Sequence, residues 1–202
     1  RPLAGVLECP ARAETLAAAV PPPSSAAARR PVSDHIDRLR RTTDEATSPE
    51  ELRRLLGERA LARPDGTAGW REVVAARLGD ATWPDRDLWI TAVDAATGAP
   101  VVLDRHSGVD LVDAVAASCS SGFAYEIAGR RYIDGGFRTN AENADLASGC
   151  ARVLVLSPFG GRSWTPVEWG LHLSTQVDRL RAAGSRVEVI TPRSEEDRLF
   201  GA

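Results

Sequence analysis

The sequence predicts an α/β fold, a sheet covered by helices on both faces. Three observations carry this expectation. Compact apolar runs at 88–93, 152–156 and 187–190 have the length and β-branched content of buried strands. Amphipathic patterns at 109–118 and 166–183 have helical spacing. Strands that alternate with helices in this order build layered α/β domains.

The first third is rich in Ala, Arg and Pro and reads as helices and linkers. Pro21-Pro22-Pro23-Ser24-Ser25-Ala26 ends any helix over 11–20 and makes a flexible crossing. Ser33 is placed to cap a helix through Ile36 and Leu39. Ser48-Pro49-Glu50-Glu51 is a stronger start, with a capping serine, a proline at the first helical position and a glutamate to complete a capping box. Leu52, Leu55 and Leu56 then share a face, and Gly57 is placed to stop the helix. Another helix is expected over 68–78, with Trp70, Val73, Val74 and Leu78 on one stripe.

The texture changes at Asp87. The run 88–93 reads as a buried strand, Thr97-Gly98 as a turn and 101–103 as its partner strand. Leu111, Val112 and Val115 mark the helix over 109–118. Ala128-Gly129 joins strands 125–127 and 131–133 in a hairpin. A buried strand at 152–156, one long helix over 166–183 and a closing strand at 187–190 follow. No repeat of fixed period occurs.

Bulk properties narrow the function. The 202 residues fit one domain with room for a sizeable core. The net charge of -3 supplies no electrostatic reason for nucleic-acid binding. No apolar run approaches the roughly 20 residues of a membrane-spanning helix. Cys9, Cys119 and Cys150 are widely spaced without a Cys-x-x-Cys pair, so the expectation is reduced, mostly buried thiols in a cytoplasmic protein, with no zinc site or disulfide framework. His35, His106 and His172 lack metal-ligand spacing. The Arg38-Leu39-Arg40-Arg41 and Arg53-Arg54 clusters read first as solvated helix faces and second as peripheral membrane contacts to anionic lipid.

The chemistry centres on Asp134, delivered off an apolar strand into Gly135-Gly136. Glycines there let another backbone or a substrate approach the carboxylate. Taken alone, Asp134-Gly135-Gly136 is an ordinary turn. The neighbouring segments change that balance. Trp83-Pro84-Asp85 precedes Leu88-Trp89-Ile90-Thr91-Ala92-Val93-Asp94 and Thr97-Gly98. Leu111-Val112-Asp113-Ala114-Val115-Ala116-Ala117-Ser118-Cys119 comes next. After it stand Gly129-Arg130-Arg131-Tyr132-Ile133-Asp134-Gly135-Gly136, Asn143-Ala144-Asp145-Leu146-Ala147 and Arg152-Val153-Leu154-Val155-Leu156-Ser157-Pro158. In unbroken order this set resembles the aspartate end of the bacterial patatin-like phospholipases.

The resemblance implies a three-layer α/β/α fold with a mostly parallel central sheet, incomplete at the N-terminus. It divides the chain into a helical part at 1–82, a core at 83–158 and a completing helix and strand at 159–202. It implies lipid acyl-ester hydrolysis by a Ser-Asp dyad, with Asp134 as general base and a lipid or acyl ester as substrate. The family's glycine-rich oxyanion loop and Gly-x-Ser-x-Gly elbow are absent from the 202 residues. Arg1 at the start and the lack of any methionine add to the expectation of a fragment, inactive by itself and poorly soluble. Ser120-Ser121-Gly122-Phe123-Ala124-Tyr125 is shorter than the family's segment there and lacks its proline. Ser120 and Ser121 are weighed as replacement nucleophiles, with a helix-terminal loop whose hydroxyls satisfy backbone groups as the simpler reading. Gly160-Gly161-Arg162-Ser163 is weighed as a phosphate cradle against a plain loop. The alternatives are a non-catalytic domain of this fold binding lipid or a protein partner, and a helical regulatory module in the first third.

Overall fold

The computed structural model describes residues 32–63 and 69–192. The helix expected over 11–20, the proline run after it and Cys9 lie outside these residues.

Helix α1 spans Val32–Glu45, so Ser33 lies within the helix and does not precede it. Helix α2 spans Pro49–Leu61. Its Ser48 cap holds as expected, the hydroxyl accepting from the Glu51 amide at 3.2 Å. The other half of the capping box is shifted by one residue. Glu51 Oε2 accepts from the amide of Thr47 at 2.8 Å and from its hydroxyl at 2.5 Å. Gly57 does not end the helix. It stays inside because the Ala95 carbonyl packs where a Cβ would be. Helix α3, Trp70–Leu78, ends on Gly79.

Strands β1 (Ile90–Asp94) and β2 (Pro100–Leu103) pair antiparallel across the Thr97-Gly98 turn. Asp94 holds that turn by accepting from the amides of Ala96 and Thr97 at 3.0 Å each. Leu88 and Trp89 stay outside the strand, Trp89 largely exposed. Helix α4 (Leu111–Ser118) is capped by the Asp110 carboxylate, which accepts from the Asp113 amide at 2.8 Å. Strands β3 (Tyr125–Ile127) and β4 (Arg130–Asp134) form the expected hairpin. Ala128 and Gly129 both have positive φ, at 49° and 79°, which matches the right-handed strand twist.

The sheet order is β2-β1-β4-β3, and every pairing in it is antiparallel. The expected mostly parallel sheet is not seen among the described residues, and short connections account for two of the three pairings. Turns as short as 95–99 and 128–129 permit only antiparallel neighbours, because a parallel pair needs a long crossover. Among the described residues such a crossover occurs once. Strand β5 (Arg152–Leu156) runs through helix α5 (Leu173–Ala182) to β6 (Arg186–Ile190), and β5 and β6 pair in parallel. The long helix expected over 166–183 is interrupted. A 3-10 turn at Val167–Trp169 ends on Gly170 at φ 66°, and α5 restarts after His172.

Helices cover both faces of the four-stranded sheet. Val93, Ala95 and Ile133 pack with Ala60 of α2 on one face. Ala92, Tyr125 and Tyr132 pack with Val74 of α3 and Ala116 and Ala117 of α4 on the other. Val155 and Val187 pack on Leu173, Val177 and Leu180 of α5. Strand β5 is not buried on both faces as expected, since Leu154 and Leu156 remain 59% and 64% exposed.

Candidate active site

Asp134 closes β4 opposite Ala92 of β1. Side chains alternate along a strand, so its carboxylate shares the α4 face with Tyr132 while Ile133 points the other way. The chain then turns into a 3-10 helix at Gly135–Phe137. The Gly136 amide donates to Asp134 Oδ1 at 2.8 Å. Both glycines are needed there. The carbonyl and hydroxyl of Thr91 occupy the space a Gly135 Cβ would take, and a Cβ on Gly136 would meet Oδ1 at 3.1 Å. Strand β1 therefore approaches the turn as closely as the residue pattern predicts.

Burial is the larger influence on Asp134 and raises its pKa to about 6; the Gly136 hydrogen bond lowers it in part. Such a carboxylate is charged at neutral pH and is a far better base than a free aspartate at about 3.9. Cys119, at the C-terminal cap of α4, lies within electrostatic reach. Burial of its thiol, and then the Asp134 charge, push it upward. The residue as a whole is exposed, and so is Cys150, which corrects the expectation of buried cysteines.

The serine beside Cys119 is not presented to solvent. Ser120 is fully buried, and its hydroxyl donates to the carbonyls of Ala117 at 2.7 Å and Tyr132 at 3.2 Å. It anchors the end of α4 to β4, the simpler reading of that segment.

Residues beyond the Gly-Gly turn hold it in place, and the sequence pattern did not assign them this role. Asn143, at φ 49°, donates from Nδ2 to the Gly135 carbonyl at 3.0 Å and to Thr91 Oγ1 at 3.3 Å. Its Oδ1 accepts from Arg138 at 3.1 Å and from the Thr139 hydroxyl at 3.0 Å. Arg138 grips Asp145 with two bonds of 2.9 and 2.7 Å, and Gln176 of α5 donates to Asp145 at 3.2 Å. A continuous polar chain thus runs from α5 to the residue after Asp134. The one local signal was Asn143 itself, since asparagine tolerates the left-handed conformation better than most residues.

Arg53 was expected on a solvated face and is instead buried. It donates to the carbonyls of Gly98 at 2.9 Å and Arg138 at 3.2 Å, and so pins α2 to the same turn. Arg54, beside it, is exposed and pairs with Glu58 at 3.3 Å.

The remaining candidates lie elsewhere. The Gly160-Gly161 segment is a loop closed by its own chain, with the Gly161 amide donating to Ser157 Oγ at 2.7 Å. His172 Nε2 contacts the Thr165 carbonyl at 2.7 Å, and His106 accepts from Arg105 at 3.1 Å. Among the described residues no three His, Cys, Asp or Glu side chains group as metal ligands, and no helix is long and apolar enough to cross a membrane.

The family model of the patatin-like phospholipases matches residues 16–146, a span that includes Asp134 and the four-stranded sheet. No curated protein matches the chain.

Proposed function

The chain belongs to the patatin-like phospholipase family, and on that premise we propose that it is the aspartate half of a Ser-Asp lipid acyl hydrolase, with Asp134 as general base. The observation that carries this is a carboxylate at a strand end whose pKa burial raises to about 6. Serine hydroxyls attack esters only when a base takes their proton. In the first step the serine Oγ bonds to the ester carbonyl carbon, its proton passes to Asp134, and the lipid alcohol leaves with that proton. In the second step water gives one proton to Asp134 and its hydroxyl to the acyl carbon, the bond from that carbon to the serine Oγ breaks, and Asp134 returns the proton to Oγ, releasing the fatty acid and restoring the serine. Residues 83–158 carry the catalytic aspartate in this scheme, and no cofactor takes part.

The serine and its oxyanion donors are not among these 202 residues, since no serine is flanked by glycines two positions before and after. Each missing oxyanion donor costs about 3 kcal/mol of barrier. The chain by itself therefore turns over acyl esters no faster than buffer. The same absence favours a second reading, a non-catalytic domain of this family that binds lipid or a protein.

A graft separates the two. Residues 125–140 replace the matching hairpin of an active patatin-like phospholipase. The graft keeps activity, and Asp134→Asn within it lowers kcat by roughly 10³-fold or more. A graft that folds but stays equally active with Asn at that position refutes the base assignment. A folded, inactive graft favours the non-catalytic reading.

A further inference from the structure

A cavity of about 350 Å³ lies between α1, α2 and the far side of β4. It is separate from Asp134. Ile133 lines it, and adjacent side chains on a strand face opposite ways, so the sheet stands between the cavity and the carboxylate. Its wall is apolar, formed by Leu39, Leu56, Ile133 and Phe137. Its border is basic. Arg38, Arg41, Arg59 and Arg63 line it against one carboxylate, Glu45.

That carboxylate is already engaged, since Glu45 pairs with Arg59, which also donates to the Thr42 hydroxyl. Arg41 gives one N–H to the Asp37 carbonyl at 3.2 Å. No carboxylate forms an ion pair with Arg38 or Arg41 among the described residues. Two guanidinium groups thus line an apolar cavity with no ion-pair partner among the described residues. Guanidinium forks match carboxylates in shape and charge. The volume is at the lower end of the roughly 300–1,000 Å³ of small-molecule pockets, which suits one alkyl chain and not two.

We propose that this cavity binds a single-chain fatty carboxylate, its chain against Leu56, Ile133 and Phe137 and its head group on Arg38 and Arg41. The assignment is independent of any catalytic role for Asp134.

The test is calorimetric titration of the full 202-residue chain with decanoate below its micelle concentration. Saturable one-to-one binding is expected. Acetate has the charge without the chain, and decanol has the chain without the charge. Each binds about tenfold or more weakly. The double variant Arg38→Gln/Arg41→Gln loses about tenfold in affinity. Amide NMR shifts on titration cluster at Ile133 and Phe137, which supplies a readout should the double variant fail to fold. Absence of saturable decanoate binding, equal affinity for acetate, an unaffected folded double variant or shifts centred on Cys119 would each overturn the proposal.

Discussion

Asp134 couples the chemistry of the site to the stability of the fold. Its carboxyl has a pKa of about 6 in the folded chain and about 3.9 in the unfolded one. Between those values the folded state holds the extra proton. The contribution of this group to stability is therefore complete below about pH 4 and is lost as the pH rises through about 6. Asp134→Asn removes the charge and keeps an oxygen for the Gly136 amide. The variant is expected to match the parent near pH 4 and to exceed it by about 1–3 kcal/mol at pH 8. Urea melts at the two pH values read this directly. An Asn variant less stable than the parent at pH 8 would mean that the carboxylate is solvated. The same carboxylate shields Cys119 from reaction, since its charge opposes thiolate formation. Asp134→Asn should therefore speed iodoacetamide alkylation of Cys119 at pH 8 by about two- to fivefold, measured by mass spectrometry. An unchanged rate would place the two groups out of reach of each other.

Helix α2 carries the turn around Asp134 through two buried contacts, the Arg53 bonds and the close packing of Gly57 on Ala95. Gly57→Ala drives a methyl into a backbone carbonyl and should cost about 2–3 kcal/mol. Ser48→Ala removes only the cap and should cost about 1 kcal/mol. Thermal melts rank the two, and a Gly57→Ala variant as stable as the parent would show that α2 slides freely on the sheet. These two positions also show what was legible in the residue order. The Ser48 cap, the 128–129 hairpin and the Asp134-Gly135-Gly136 turn are local signals, and each formed where the pattern placed it. Gly57 was misread because a carbonyl nearly forty residues away, not the local chain, selects glycine there. Arg53 was misread because a basic cluster reads as solvent-facing until its carbonyl partners, distant in sequence, come into view. The antiparallel pairing of β1 with β4 was hidden for a similar reason. An apolar run reports burial and says nothing of the direction of its neighbour.

The molecule as a whole is unevenly protected. Among the described residues the four-stranded sheet has helices on both faces, whereas the β5–β6 pair has α5 on only one. On the bare face Leu156 lies opposite Ile190 in register, with Leu154 two residues before it, all of them more than half exposed. Among the described residues β5 and β6 pair only with each other, so no further strand covers their outer edges, where the Val187 carbonyl accepts from Arg181 at 3.1 Å. Parallel strands ordinarily have both faces covered, and a two-stranded sheet by itself is only marginally stable. An apolar face beside open edges is a template for pairing with another chain. The 202-residue chain is therefore expected to self-associate at micromolar concentration. Leu154→Lys with Leu156→Lys should shift sedimentation velocity toward the monomer and leave the melt of the four-stranded sheet unchanged, because neither side chain belongs to its core. A sharp, concentration-independent melt of the unmodified chain as a monomer would contradict this. It would mean that the β5–α5–β6 unit is stable with one face in water.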